Sequence, residues 1–447
     1  MKSTISSKCL PTQYHFPILS DMSVKLDITH NRLSIPVNEF FQMAARINKQ
    51  RGFLFVSNML GKHLPLNPYK PLLASGLLAL SYYENVSGHS VDALSDVRDG
   101  FLSNDPGELR RTYELLKKVS LNLNEEPIVI GFAETATALG HAVFDCFPKG
   151  YYIHTTRENV SGLEPEFNFK EEHSHAVDQR CFANPSILER DNPVLLVDDE
   201  ITTGKTCLNI IREIHAKYPR NHYGVLSLLD WRSDEHVQQY KALEVELGIS
   251  LTVHSLLKGT IAFEGKPLEY PINDFNSGGI PTGKSSIKRH DLSKDFLPRS
   301  GTGYLAHSGR FGISEQDKVK IDDSCQRASN HLNREITPGK TLCLGTGEFM
   351  YIPMKVASYL HGEVCYHATT RSPVQPIDTD QYAITSGFSF ANPEDRSVQH
   401  YVYNIPEGEY DQAIVFFEKN VSEDNVAPLI SLLEEREIRT VHIVTCS

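Results

Sequence analysis

The segment from Pro193 to Thr206, PVLLVDDEITTGKT, constrains the fold more than any other part of the chain. Its run Val194 to Val197 is continuously apolar, which is typical of a strand buried on both faces of a parallel α/β sheet. Asp198 and Asp199 follow at the carboxyl end, and a Thr/Gly turn then leads into an apolar-periodic helix. Backbone N–H groups at such a helix start favour a phosphate, and adjacent acids suit sugar hydroxyls or Mg²⁺. The segment therefore predicts a site for a phosphorylated ribose.

This segment resembles the loop that binds phosphoribosyl pyrophosphate (PRPP) in type I phosphoribosyltransferases. That family's pattern is four apolar residues, two acids, three variable residues and Thr-Gly-x-Thr, and it is complete here. The resemblance implies that Asp198 and Asp199 are catalytic, hold the ribose 2′- and 3′-hydroxyls and bind Mg²⁺. It also implies that the 5′-phosphate is bound by Thr202, Thr203, Gly204, Lys205 and Thr206. The alternative is an acidic strand end without a ligand, but two adjacent acids there are costly without a partner.

The composition limits the class of protein. The 447 residues, 40% of them hydrophobic and 22% charged, are typical of a soluble chain of two or three domains. A formal net charge of −12 argues against nucleic acid as a partner. The eight cysteines lack metal-ligand spacing and indicate reduced thiols, and no apolar stretch is long enough for a signal peptide or membrane span. We therefore expect a cytoplasmic protein that binds small molecules and neither nucleic acid nor membranes; a homodimer stays open.

Strands and helices are predicted to alternate around the opening segment. Apolar spacing predicts helices over 39–50, 67–83, 107–121 and 135–144, and strands over 51–57, 127–130, 151–154 and 223–229. Such alternation indicates an α/β fold with a doubly wound, mostly parallel sheet. The ligand of such a sheet lies above the carboxyl ends of the strands.

Two more segments are expected at those strand ends. One is a turn that follows a strand and opens a helix, where type I phosphoribosyltransferases have a loop that binds pyrophosphate; it consists of Gly131, Phe132, Ala133 and Glu134. Glu134 departs from the family pattern, since an acid beside pyrophosphate needs Mg²⁺ or an orienting role. Arg157, after two threonines, is a candidate anion clamp. A plain strand–helix turn and a surface arginine are the alternatives.

The long segment 158–190 is a candidate lid. Connections of this length inside a compact domain are usually binding loops, and the resembling family has a flexible loop here that closes over PRPP. Its run FKEEHSHA contains Lys170 and His173, which are candidate catalytic residues for supplying a cation or transferring a proton. A solvated polar loop is the alternative.

A second motif points to a different class of protein. The run from Gly278 to Ser285 satisfies the Walker A pattern of P-loop NTPases. It lacks a preceding β-run and a following apolar helix face, so a Gly/Pro/Ser-rich linker explains it better. A P-loop NTPase would need an ordered strand, loop and helix in this place.

The second half of the chain repeats part of the first. Residues 128–157 align without a gap with residues 342–371, and a separation this long indicates domain duplication. The equivalent cleft of the second half is marked by Gly345, Glu348, Thr369, Thr370 and Arg371. Further on, Phe416 and Phe417 take the places of the two acids, and no Thr-Gly-x-Thr follows. Because phenylalanines cannot hold ribose or Mg²⁺, this copy is not expected to be a working PRPP site.

The chain as a whole resembles one family in particular. The first half resembles the phosphoribosyltransferase domain of bacterial tellurite-resistance and stress gene clusters. The second half resembles its companion TRSP domain, named for the tetrapeptide Thr370 to Pro373. The predicted boundaries are 1–245 for the first domain, with an N-terminal extension of thirty or so residues, 246–299 for a linker region, and 300–447 for a degenerate second copy.

The resemblance implies a Mg²⁺-dependent transfer of phosphoribosyl from PRPP to a small base-like or amine acceptor, or the reverse reaction, in the synthesis of a nucleotide-like metabolite. The sequence does not identify the acceptor, although Lys62 and His63 are candidates to reach it. A PRPP-binding regulator without turnover is the alternative, and a P-loop NTPase is a third hypothesis.

Overall fold

Two mostly parallel sheets organise the computed structural model, so the predicted α/β class is confirmed. The structure describes residues 12–169, 179–272, 275–277, 280–379 and 382–447. None of the helices in these ranges combines the length and apolar character that spanning a bilayer requires.

Strands of the first half are β1 (Gln13–Leu19), β2 (Met22–His30), β3 (Phe41–Ala45), β4 (Phe53–Ser57), β5 (Ile128–Gly131), β6 (Tyr151–His154), β7 (Phe167–Phe169), β8 (Gln179–Cys181), β9 (Val194–Ile201), β10 (His222–Asp230) and β11 (Ser250–Glu264). Those of the second half are β12 (Asn276–Ser277), β13 (Ser286–Asp291), β14 (Ile313–Ser314), β15 (Lys340–Gly345), β16 (Glu363–Ala368), β17 (Gly387–Asn392), β18 (Asp395–Tyr403), β19 (Gln412–Phe417) and β20 (Thr440–Thr445).

The helices are α1 (Val37–Phe40), α2 (Tyr69–Ser87), α3 (Ala93–Phe101), α4 (Pro106–Leu116), α5 (Ala136–Asp145), α6 (Pro185–Leu188), α7 (Lys205–Lys217), α8 (Asp234–Leu247), α9 (Glu315–Leu332), α10 (Tyr351–Tyr359) and α11 (Glu423–Glu435). The predicted helices over 67–83, 107–121 and 135–144 correspond to α2, α4 and α5.

The larger sheet has the order β1-β2-β11-β10-β9-β5-β6-β14. Its strands from β11 to β6 are parallel, whereas β1, β2 and β14 pair antiparallel with their neighbours. β9 lies at the centre between β5 and β10, and its residues Val194 to Val197 are buried, as a strand covered on both faces should be. Its carboxyl end is therefore fixed by pairing on both sides.

The segments predicted to be a linker and an N-terminal extension contain strands of the two sheets. β11 lies inside the predicted linker of 246–299, yet it forms the parallel neighbour of β10. β2, in the predicted extension, pairs with β11 along most of its length. β13 also lies in the predicted linker and forms an edge of the second sheet. Their partners are remote in sequence, so local composition could not indicate these pairings.

The second sheet repeats the centre of the first. Its order is β13-β20-β19-β15-β16, and all its pairs are parallel. The order β20-β19-β15-β16 has the same plan as β10-β9-β5-β6. The pairing register also corrects the alignment of the acids: Gly131 pairs with Val197, whereas Gly345 pairs with Phe416. Phe417 therefore occupies the position of Asp198, and the next residue, Glu418, that of Asp199.

The predicted helix over 39–50 is wrong, because most of this segment forms an antiparallel hairpin, β3 with β4. The rings of Phe41 and Phe55 meet edge to face across the hairpin at 4.5 Å between centroids. The ring of Phe55 also stacks on Trp231 at 5.0 Å. Such aromatic pairs stabilise neighbouring strands and here outweigh the helical spacing of the sequence.

The two halves pack on each other through the equivalent helices α5 and α10. Buried residues of both halves belong to one continuous hydrophobic core. The His141 ring of α5 stacks on Tyr351 of α10 at 3.6 Å between centroids. Nearby, the buried Lys355 ammonium donates to Tyr113 Oη (2.7 Å) and lies 3.1 Å from Asp322 Oδ1. The halves thus form a single packed unit.

The P-loop hypothesis is wrong for the run from Gly278 to Ser285. Gly278 and Gly279 lie outside the described residues, but the residues after Ser285 form the strand β13 and not a helix. The N–H groups of Thr282 and Ser285 donate to the Glu434 carboxylate of α11. A P-loop needs a helix start that presents free N–H groups to phosphate.

Acid is expected to destabilise the fold through buried neutral histidines. Burial lowers the pKa from 6.5 to about 3 for His154 and to about 4 for His254, His367, His400 and His442. The unfolded chain therefore binds more protons below pH 6.5, and the free energy of unfolding should fall between pH 6.5 and 4. Each histidine contributes up to about 1.4 kcal/mol per pH unit.

Urea unfolding measured across this pH window tests the prediction. His254 is hydrogen-bonded to Ser81 Oγ, so His254→Gln removes one titrating group and keeps a polar partner. The free energy of unfolding of this variant should depend less steeply on pH. An unchanged slope of that free energy against pH would show that His254 does not contribute to the pH dependence.

Candidate active site

The paired acids of β9 line a cavity of about 440 Å³ at the carboxyl end of the sheet. The side chains of Asp198 and Asp199 are partly exposed, and the Asp199 N–H donates to Asp198 Oδ1 at 2.9 Å. The cavity is bounded by the β3–β4 hairpin, by the turn after β5 and by residues 371–373 of the second half. The predicted position of the ligand at the strand ends agrees with this geometry.

Charged side chains of both signs line the cavity. The cations are Arg46, Arg51, Lys62, Arg157 and Arg371, and the acids are Glu134, Asp198, Asp199 and Glu200. Guanidinium and ammonium groups suit phosphates, and carboxylates suit hydroxyls and hard cations. The walls can therefore bind a ligand that carries both phosphate and sugar groups.

Two ion pairs line the cavity. Arg51 Nη2 lies 2.6 Å from Glu200 Oε1, and its guanidinium packs over the Phe53 ring. Burial raises the pKa of Glu200 although Arg51 opposes this effect. In the second pair, Lys62 Nζ lies 3.3 Å from Glu134 Oε2 and donates to Thr135 Oγ1 at 2.6 Å.

Glu134, the departure from the family pattern, is a buried and ionised carboxylate. Burial opposes its ionisation, but the charges of Lys62, Arg157 and Arg371 outweigh burial and lower its pKa to about 2. Its Oε1 atom is buried without a hydrogen-bond partner in the described part of the chain. Its charge is therefore balanced by cations of the cavity, and one oxygen stays available for a ligand.

The turn after β5 and its repeat are built by the same hydrogen bonds. The Ala133 N–H donates to Thr155 Oγ1 at 2.9 Å, and in the second half the Gly347 N–H donates to Thr369 Oγ1 at 3.0 Å. Gly131 is required beneath this turn, since a Cβ there would lie 2.5 Å from the Ala136 carbonyl oxygen. Gly131 and Phe132 support the cavity and do not line it.

The glutamate of each copy contacts a backbone N–H group of the other copy. The N–H of Arg157, in the first half, donates to Glu348 Oε1 of the second half at 2.7 Å. The N–H of Arg371, in the second half, lies 3.5 Å from Glu134 Oε2 of the first. Each carboxylate thus caps the Thr-Thr-Arg loop of the opposite copy, and Arg371 lines the cavity of the first half.

The predicted second-domain cleft is filled. The Arg310 guanidinium lies between Glu348 (3.1 Å) and Glu418 (2.9 Å), and its side chain is 1% exposed. Thr369 and Thr370 are fully buried. Only about 10 Å³ remains beside the two glutamates, which is room for no more than a water molecule. Gly345, Glu348 and the two threonines are therefore buried and do not line an open cleft.

The predicted phosphate loop follows β9 directly but does not line the cavity. Gly204 has a φ of +74°, and its carbonyl oxygen accepts from Tyr240 Oη at 2.9 Å. A Cβ at Gly204 would lie 2.2 Å from that hydroxyl oxygen, so glycine is required. Helix α7 starts at Lys205, next to Thr202 and Thr203. Lys170 and His173 lie outside the described residues.

Sequence reasoning missed the hairpin side of the site. Arg46 and Arg51 flank the turn between β3 and β4, where a helix was predicted. The alternating pattern of RGFLFVS was a signal for the second strand only. Arg310 was also missed, because nothing local shows that its partners lie in other segments. Lys62 and His63, candidates for the acceptor side, are both buried and line the cavity.

Two family models match the chain in sequence. Residues 40–260 match the model described as "Phosphoribosyl transferase". Residues 307–433 match the model described as "TRSP domain C terminus to PRTase_2". No curated protein is significantly similar in sequence.

Solved phosphoribosyltransferases resemble part of the chain. An adenine phosphoribosyltransferase from Rhodothermus marinus is 19% identical over 34% of this chain and 80% of its own, with a TM-score of 0.21. The corresponding enzyme from Trypanosoma brucei is 16% identical over 35% and 67%, with a TM-score of 0.24. An orotate phosphoribosyltransferase from Mycobacterium tuberculosis is 16% identical over 43% and 89%, with a TM-score of 0.18. At these TM-scores the likeness carries no argument, and the fold class rests on the strand order.

Removal of the Arg310 guanidinium is expected to destabilise the whole chain. Arg310→Met would leave two buried carboxylates without their shared cation, which costs about 3–5 kcal/mol. Chemical denaturation measures the loss. The matched control is Arg212→Met, because Arg212 pairs with Glu246 on the surface and should leave the midpoint unchanged. Equal midpoints for both variants would contradict the structural role of Arg310.

Proposed function

We propose that this chain, which matches a phosphoribosyl transferase model followed by a TRSP-domain model, transfers phosphoribosyl from PRPP to a small base-like or amine acceptor. The bond from the ribose C1 to pyrophosphate breaks, a bond to the acceptor forms, and pyrophosphate leaves. The reverse reaction on a nucleotide uses the same groups.

One observation carries this proposal: the adjacent acids of β9 line a cavity that five cationic side chains also line. Asp198 and Asp199 would accept hydrogen bonds from the ribose hydroxyls and orient the sugar. Cations on the facing walls would bind the phosphates and stabilise the charge that develops on the leaving pyrophosphate.

Mg²⁺ fits the donors at this strand end. It is usually bound by one or two carboxylates together with substrate phosphates, and Asp198 and Asp199 supply the carboxylates. No three metal-binding side chains converge within the described ranges, so oxygens of PRPP would complete the coordination. Bound Mg²⁺ would neutralise charge on the pyrophosphate.

The stem of the candidate lid reaches the cavity edge. β7 and β8 pair with each other, and Arg180 of β8 exchanges backbone hydrogen bonds with Thr156 at 2.8 Å each way. Thr156 precedes Arg157, which lines the cavity. This stem supports the proposal that Lys170 and His173, in the segment between the two strands, act on bound PRPP. The phosphate role of Thr202 to Thr206 is part of the same proposal.

The wider context is also proposed from the family resemblance. We assign the reaction to the synthesis of a nucleotide-like metabolite in a cytoplasmic stress response of the tellurite-resistance type. A homodimer remains an assembly to test, but the cavity described here is formed within one chain.

Replacement of the paired acids tests the reaction. Asp198→Asn and Asp199→Asn keep the side-chain shape but remove the charge, and each should lower pyrophosphate release by about 10²–10³-fold. Release is measured with PRPP, Mg²⁺ and pools of bases and amines, and chelation should abolish it. Glu213→Gln, an exposed acid on the neighbouring helix α7, is the control and should remain active.

Calorimetric titration with PRPP distinguishes an enzyme from a PRPP-binding regulator and from a chain that does not bind PRPP. Binding of PRPP with no release under any acceptor would favour a regulator over an enzyme. Absence of PRPP binding by the wild-type chain would overturn the proposal.

A further inference from the structure

We propose that the segment Thr370–Pro373 of the TRSP domain completes the PRPP site of the first domain, with Arg371 as one arm of a two-arginine clamp on the pyrophosphate group. This inference rests on the proposed function. It assigns the second domain a direct binding role in place of the separate cleft predicted from the sequence.

The two arms are equivalent residues of the repeat. Arg157 and Arg371 each follow a buried Thr-Thr pair at the end of an equivalent strand, β6 or β16. Both arginines line the same cavity. The two glutamate contacts bring the two loops together from opposite domains. A pyrophosphate between them could contact both guanidinium groups, each of which can donate two N–H bonds to phosphate oxygens.

Three unpartnered polar atoms indicate that a polar ligand belongs here. Glu134 Oε1, Ser372 Oγ and His63 Nε2 are buried and have no hydrogen-bond partner among the described residues. All three residues line the cavity, and they come from three separate segments. Burial of such atoms without partners is unfavourable. A ligand with phosphate oxygens and hydroxyls would satisfy the serine hydroxyl and the glutamate oxygen together.

The segment is held rigidly in place. The Ser372 N–H donates to Thr370 Oγ1 at 3.1 Å, and the Val374 N–H donates to Tyr403 Oη at 2.8 Å. The Ile47 N–H of the first domain donates to the Pro373 carbonyl oxygen at 3.1 Å. The first two bonds hold the segment within the second domain, and the third ties it to the β3–β4 hairpin. The backbone that carries Arg371 is therefore in place before the anion binds.

The pattern of the repeat supports this division of roles. The second copy has Phe417 in the place of Asp198, and its own cleft is filled by Arg310. It nevertheless retains the Thr-Thr-Arg loop, whose arginine reaches the cavity of the other domain.

The test uses the full chain with Arg371→Ala, titrated with PRPP and with pyrophosphate in the presence of Mg²⁺. Loss of a charged contact should weaken binding of both by about 10- to 100-fold. The matched control is Arg396→Ala, an exposed arginine on β18 of the same domain, which should bind as the wild type does. The melting temperature of each variant is measured in parallel.

Wild-type affinity in Arg371→Ala would overturn this inference and leave the proposed function standing. Failure of the wild-type chain to bind PRPP would overturn both. If the alanine variant does not fold, Arg371→Lys keeps a charge and loses the paired contact. Weaker PRPP binding by the folded lysine variant supports the clamp, and unchanged binding overturns it.

Discussion

The reciprocal placement of Glu134 and Glu348 is the constraint on which the rest of the molecule depends. Each carboxylate is buried and is neutralised by a cation of its own half, Lys62 for Glu134 and Arg310 for Glu348. Each also accepts a backbone N–H from the opposite half, that of Arg157 for Glu348 and that of Arg371 for Glu134. Because a buried acceptor without its hydrogen bond is costly, these two contacts favour the arrangement in which the loops lie together. The cavity exists where these two loops meet.

The same strand order surrounds two different sites in this chain. In the first copy Arg51 pairs with Glu200 at the edge of the cavity, and the space above the paired acids stays open. In the second copy Arg310 enters the equivalent space and pairs with Glu348 and Glu418. The first half thus has an open charged cavity, while the second half has a buried ion pair in the equivalent place.

The sequence predicted what local pattern determines. The strand before Asp198, the helix after Gly204 and the repeated Thr-Thr-Arg loops follow from apolar runs and short motifs. It did not predict β11 or the β3–β4 hairpin, because their stability depends on partners remote in the chain. The cations of the cavity come from segments spread between Arg46 and Arg371, so only the fold brings them together. The sequence alignment of Phe416 and Phe417 with the two acids was off by one residue for the same reason, since strand pairing sets that register.

Because the two halves are covalently linked, the cavity does not depend on protein concentration. A site shared by two separate subunits is lost when the subunits dissociate, so its activity per chain falls at low protein concentration. Here Arg157 and Arg371 belong to one polypeptide, and the core that joins α5 to α10 is continuous. The local concentration of each half around the other is fixed by the chain itself. A single copy of this protein in a cell would therefore carry a complete cavity.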